Sequence, residues 1–85
     1  MKYKIEIKFR AQKQLAKIDK SEQKRIADKI YQLGTNPYPT NSKSLTNRNE
    51  RSLRTGKYRV IYDVYESKLI VLVLVIGHRK DVYKK

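Results

Sequence analysis

Residues 69–76 read LIVLVLVI, and this unbroken apolar run opens onto Gly77, His78, Arg79, Lys80, Asp81, Val82 and Tyr83. No other stretch constrains the fold so strongly. A membrane-spanning helix takes about 20 apolar residues, so the run is far too short to cross a bilayer. Its β-branched content reads as a strand buried on both faces. Its end sets one histidine, two cations and a phenol within a few residues. The apolar part is expected to hold the fold together, and the polar end to do the chemistry.

The other elements fall into place around it. Residues 2–8 alternate, with Tyr3, Ile5 and Ile7 on one side and Lys4, Glu6 and Lys8 on the other, the pattern of a half-buried strand that Phe9 and Arg10 close. Ala11, Leu15 and Ile18 then recur at i, i+4, i+7, one stripe of a short helix. Ile26, Ile30 and Leu33 repeat that stripe in a second helix. Asp19 with Glu22, or Ser21 alone, supplies its N-cap; Gly34 stands at its C′ position and Pro37 forbids continuation. Residues 35–49 read as a loop rich in turn formers, with Lys43 and Leu45 tacking it down. A short strand over 51–54 and a longer one over 58–65 precede the apolar strand. The order is β-α-α-β-β-β. This predicts a single α+β domain over 1–85: a helical hairpin on one face of a small, mostly antiparallel four-stranded sheet.

Charge narrows the partner. Twenty-one Lys and Arg stand against eight Asp and Glu, a net charge of +13. An excess of that size points to a polyanion, nucleic acid first. Both halves of the chain carry it, so this is not a neutral domain with a basic tail. There is no cysteine and one histidine, so thiolate zinc sites are excluded and no metal or cofactor constellation is expected. The start of the chain holds no apolar stretch of signal-peptide length, which predicts a cytoplasmic protein without a membrane partner.

The hairpin between the last-but-one strands is where local chemistry becomes specific. Gly56-Lys57 suits a two-residue type II′ loop, with glycine at the first central position. That register makes Thr55 face Tyr58, sets Arg54 opposite Arg59, and leaves Leu53 and Val60 on the other face. Opposed arginines repel, and a phosphate between them would remove the penalty and accept forked hydrogen bonds from both. Which residue of the last strand joins them is a question of parity. A two-residue loop among residues 66–68 brings His78 beside Arg59. A three-residue loop brings Arg79, and a bulge at Gly77 also switches the parity. His78 would move protons near neutral pH; Arg79 would stabilise developing negative charge.

A cluster of Arg, His and Tyr without a metal suits one reaction in particular, cleavage of RNA through its own 2′-OH. The nucleophile belongs to the substrate, so the protein need only orient phosphate, neutralise the transition state and move protons. Tyr83 and Tyr58 are candidates to stack a base; Tyr62 is expected in the core.

These residues carry a resemblance. Phe9 to Leu15 with Ile18 and Asp19, Asn36-Pro37, Lys43 with Leu45, Leu53 to Tyr62, and Val75 to Tyr83 together resemble the RelE/ParE superfamily of toxin–antitoxin toxins, closest to the RelE-like mRNA interferases. Gly56, Tyr58, Arg59 and Tyr62 followed by Gly77, His78, Arg79 and Tyr83 form the most specific part. The resemblance implies a microbial RNase-like fold, ribosome-dependent mRNA cleavage in the A site, and a cognate antitoxin, expected to be acidic and partly disordered. It implies that Arg59 binds the scissile phosphate, that Arg79 stabilises the transition state, and that Tyr83 holds the substrate. It favours Arg79 over His78. Arg54, Arg51, Arg48, Lys43, Lys57 and Lys80 are the accompanying RNA contacts. Where some relatives carry lysines, this chain has Glu50 and Ser52, so Glu50, His78, Tyr83 and a basic residue all stand as candidate general bases. Some relatives continue into a further helix, which is expected to be short or absent here. A gyrase-inhibiting ParE-like toxin and a non-catalytic ribosome-binding module are the competing readings.

Overall fold

The computed structural model describes residues 2–45 and 50–78. Its elements are β1 (Lys4–Ile7), α1 (Phe9–Ala16), α2 (Lys20–Gln32), β2 (Ser42–Ser44), β3 (Glu50–Thr55), β4 (Tyr58–Tyr65) and β5 (Ile70–His78). The sheet order is β1-β5-β4-β3-β2. β1 runs parallel to β5, and the other pairs are antiparallel. The α+β class, the helical hairpin and the mostly antiparallel sheet follow the sequence reading.

The expected four strands are five. Ser42–Ser44 pairs with β3 through Ser42↔Leu53, Lys43↔Ser52 and Ser44↔Arg51. A serine-lysine-serine strand has no apolar period to reveal it. It is placed instead by a turn in which the Ser42 amide and hydroxyl both donate to the Pro39 carbonyl, at 3.0 and 2.7 Å.

Smaller corrections have equally local causes. Phe9 opens α1 rather than closing β1, and its ring is 73% exposed. Asp19 occupies the N-cap position of α2 without capping it; its carboxylate accepts the Ser21 hydroxyl at 2.7 Å, and Glu22 turns to Arg25 at 3.5 Å. The helices are joined instead by Gln23, whose side-chain amide donates to the Leu15 and Ile18 carbonyls at 3.0 and 3.2 Å. Gly34 does not take the left-handed C′ conformation. Its buried carbonyl accepts the amides of Lys2 and Tyr3 at 3.0 and 2.8 Å, which ties the start of the chain to the end of α2.

β5 is buried on one face, not both. Val71, Val73 and Ile76 are buried, whereas Ile70, Leu72, Leu74 and Val75 are half-buried, and Leu69 sits in the preceding turn at φ 53°. Both helices pack on the same side of the sheet. Between them lie Tyr3, Leu53, Val60, Tyr62, Val71, Val73 and Ile76 from the sheet side and Ala11, Ile26, Ile30 and Leu33 from the helix side. Each fully buried large aliphatic there contributes about 1.5–3 kcal/mol. Tyr62, expected in the core, is fully buried, and its hydroxyl donates to the Pro37 carbonyl at 2.7 Å. Among the described residues the opposite side of the sheet carries no helix.

Candidate functional site

The site begins at the β3–β4 turn. Thr55 pairs with Tyr58 and Arg54 with Arg59, the register read from the sequence. Gly56 has φ +62°, and Leu69 is the one non-glycine residue with positive φ among the described residues, so Lys57 is negative. Positive then negative φ is the type II′ pattern.

Alternation along the strands puts Glu50, Ser52 and Arg54 of β3 on the helix-free face with Arg59, Ile61 and Asp63 of β4. Lys43 joins them, opposite Ser52. Arg59 donates through Nη1 to the Ser52 hydroxyl at 3.2 Å, and Ser52 is 1% exposed. The Arg54 backbone is held on both sides by Asn41: its amide donates to the Asn41 carbonyl and its carbonyl accepts the Asn41 side-chain amide, each at 3.1 Å. Thr40, Asn41, Lys43, Arg54 and Arg59 line a concavity of about 210 Å³. Three of the five are cations and none is acidic. Such a lining suits a phosphate: Arg supplies forked donors and Lys a point charge.

Thr40 and Asn41 close the remaining side, and the segment 36–41 that they end is pinned from beneath. Tyr62 holds the Pro37 carbonyl. The Asn36 side-chain oxygen accepts the Tyr38 amide at 3.0 Å. The phenols of Tyr3 and Tyr38 both donate to the Glu66 carboxylate, the former at 2.6 Å. Hydrogen bonding to that carboxylate raises the Tyr3 phenol above its ordinary pKa of 10.0. Arg51 stacks over the Tyr38 ring, 5.0 Å from its centroid, and donates to the Ser42 hydroxyl at 2.9 Å. The structure therefore turns Arg51 to the side away from Arg54 and Arg59. Thr40 and Asn41 were missed by sequence reasoning, which saw only a turn former at 41.

The parity question has a definite answer within the described residues. Near the turn Tyr65 pairs with Ile70 and Tyr62 with Val73; farther along Ile61 pairs with Val75, Arg59 with Gly77 and Tyr58 with His78. The connection is four residues, 66–69, rather than two or three. A bulge switches the parity, but at Leu74 rather than Gly77. His78 consequently lies across from Tyr58, rings 6.0 Å apart and nearly edge-on at 73°, and not beside Arg59. Arg48, Arg79, Lys80 and Tyr83 lie outside the described residues. Lys57 is exposed in the turn itself.

The far end of the same face is acidic. Glu50 pairs with Asp63, four residues from Arg54 and so roughly 13 Å along the strand. Tyr65 donates to Asp63 at 3.2 Å, and the Asp63 charge leads in raising its pKa above 10.0. Among the described residues no three His, Asp or Glu side chains come together to hold a metal ion, and no helix is long and apolar enough to cross a membrane.

Comparison with known proteins gives a consistent picture. A family profile described as the ParE toxin of the type II toxin–antitoxin system parDE matches residues 5–83. A protein of Escherichia coli named as a RelE-like toxin is 30% identical, covering 98% of this chain and 92% of its own. One of Methanocaldococcus jannaschii named as the toxin RelE1 is 34% identical, covering 99% and 98%. Among solved structures, the archaeal RelE–RelB complex from Pyrococcus horikoshii superposes with TM-score 0.86 at 24% identity, covering 96% of this chain and 100% of that one. The isolated RelE toxin of E. coli gives 0.79 at 22%, covering 95% and 90%. At those identities the structures speak for the fold.

Proposed function

Because the chain belongs to the ParE toxin family of type II toxin–antitoxin systems, we propose that this toxin is a RelE-like endoribonuclease that cuts mRNA in the ribosomal A site. The observation that carries the reading is the opposition of Arg54 and Arg59 on the helix-free face, with Lys43 and the 40–41 wall closing a cationic concavity around them. Two like charges opposed across a hairpin repel, and a phosphate between them removes that penalty.

In this reading Arg59 and Arg54 grip the scissile phosphate with forked hydrogen bonds. The 2′-OH of the upstream nucleotide attacks phosphorus, its proton passes to a general base, and the P–O5′ bond breaks. The leaving O5′ takes up a proton, giving a 2′,3′-cyclic phosphate and a 5′-OH. Arg79 stabilises the charge that builds on the phosphoryl oxygens and protonates the leaving oxygen, while Tyr83 stacks on the substrate. Neither Glu50, at the far end of the face, nor His78, across from Tyr58, lines the Arg54–Arg59 concavity; the candidate general bases are Glu50, His78, Tyr83 and a basic residue. The toxin works in the cytoplasm, and an acidic, partly disordered antitoxin neutralises it, the +13 chain supplying the complementary charge.

Mapping transcript 5′ ends after brief expression tests the reading: cuts within codons of translated messages support it, and unchanged 5′ ends overturn it. The matching profile is itself described by the ParE toxin, which favours gyrase poisoning as the second reading. Inhibition of supercoiling by the purified protein, with messages left intact, would establish that alternative.

A further inference from the structure

The change of register at Leu74 has a visible support, and it comes from a helix. β1 makes its last pairing at Ile7↔Val73, and the Lys8 amide still reaches the Val73 carbonyl at 2.9 Å. Beyond that point β5 continues to His78, and among the described residues no strand pairs with it on its β1 side. Ile76 is 1% exposed, so its backbone amide needs a protein acceptor. Gln14 of α1 provides one: its side-chain oxygen accepts the Ile76 amide at 2.8 Å.

The consequence for the cationic face follows from the pairing. If the register near the turn continued unbroken, residue numbers would keep the sum of Tyr65 and Ile70, and Ile76 would stand opposite Arg59. Its side chain would then crowd the helix-free face beside the arginine, and Gly77 would leave a gap in the core. With Leu74 bulged out, Ile76 turns into the core and Gly77 stands opposite Arg59. A residue without a side chain thus stands next to Arg59 where an isoleucine would otherwise stand.

We propose that Gln14 is a positioning residue of the Arg54–Arg59 face: by holding the Ile76 amide it fixes the bulged register that keeps Gly77, rather than Ile76, beside Arg59. The proposal rests on the reading of that face as the RNA-cleaving site, and it adds a residue of α1 that acts through the Ile76 amide and not on the substrate.

Two variants test it. Gln14→Met keeps the length and removes the acceptor; Gln14→Glu keeps an acceptor oxygen. In Gln14→Met the Ile76 amide should exchange with solvent about tenfold faster relative to Val60, as expected of a buried donor that has lost its partner. The kcat for mRNA cleavage on translating ribosomes should drop at least about tenfold, with KM within about twofold, because the loss is of alignment rather than of binding. Gln14→Glu should restore both. Unchanged Ile76 exchange in Gln14→Met overturns the proposal. So does faster exchange with unchanged kcat, or a Gln14→Glu variant as impaired as Gln14→Met. If the parent protein cuts no message, the ribonuclease reading fails on its own. The Tyr58–His78 cross-strand nuclear Overhauser effect then decides the register role: its loss in Gln14→Met supports the role, and its retention overturns it.

Discussion

Arg54→Gln should make the protein more stable and a worse ribonuclease at the same time. Arg54 and Arg59 are direct cross-strand partners on one face, a placement in which like charges repel. At a separation of about 6 Å in water, two like unit charges repel by roughly 0.7 kcal/mol. Arg54 is exposed, so the high-dielectric figure applies. At physiological salt, where the screening length is about 8 Å, roughly half of that remains. Glutamine keeps the length and the polar character without the charge. The variant should therefore gain about 0.3–0.7 kcal/mol, which for a domain of this size raises the melting temperature by roughly 1–5 °C. The gain should shrink when melts are repeated in high salt. In the same variant the log–log salt slope of single-stranded RNA binding should flatten by about 0.7, the value for one lost phosphate contact. A variant that melts below the parent at low salt, or that keeps the parent's salt slope, would refute the idea that the two arginines repel across the hairpin and share a phosphate.

Tyr62→Phe should cost about 1–2 kcal/mol, because it orphans the Pro37 carbonyl beside a fully buried ring; urea unfolding should show a lower midpoint with an unchanged m-value. Gly56→Ala should cost about 1–2 kcal/mol for its left-handed φ, and the added Cβ would also stand 3.3 Å from the Arg25 guanidinium; thermal melts measure it. Tyr3 and Tyr65 should titrate late in alkaline absorbance spectra, with Glu66→Gln and Asp63→Asn each returning one of them toward 10.0. Their folded pKa values lie above the unfolded value, so the stability they contribute is complete below pH 10 and lost as pH rises through the raised values.

What the sequence made legible was whatever one period or one turn could encode. The alternation at Tyr3, Ile5 and Ile7, the two i, i+4, i+7 stripes and the Gly56-Lys57 turn each act over a few residues, and each marks an element of the structure, although Tyr3 precedes β1 and Ile18 falls past the end of α1. The Arg54–Arg59 pairing came with the turn. The rest depends on contacts between distant segments. β2 is polar and short, and it exists because Pro39 and Asn41 fold back on β3. The bulge at Leu74 leaves no mark in a run where every residue is apolar; its support, Gln14, lies 62 residues earlier in the chain. Glu66 looked like a turn residue and proves to hold two tyrosines that brace the wall of the concavity. Arg51 was expected among the RNA contacts with Arg54, but strand alternation sends it to the other side, where it stacks over Tyr38.

The most direct test of the account is cleavage of a defined mRNA on translating ribosomes by the purified parent protein and by Arg59→Ala. The parent should yield fragments ending in a 2′,3′-cyclic phosphate with matching 5′-OH ends, and Arg59→Ala, still folded, should leave the message intact. Equal cleavage by both proteins would contradict the placement of the scissile phosphate at Arg59.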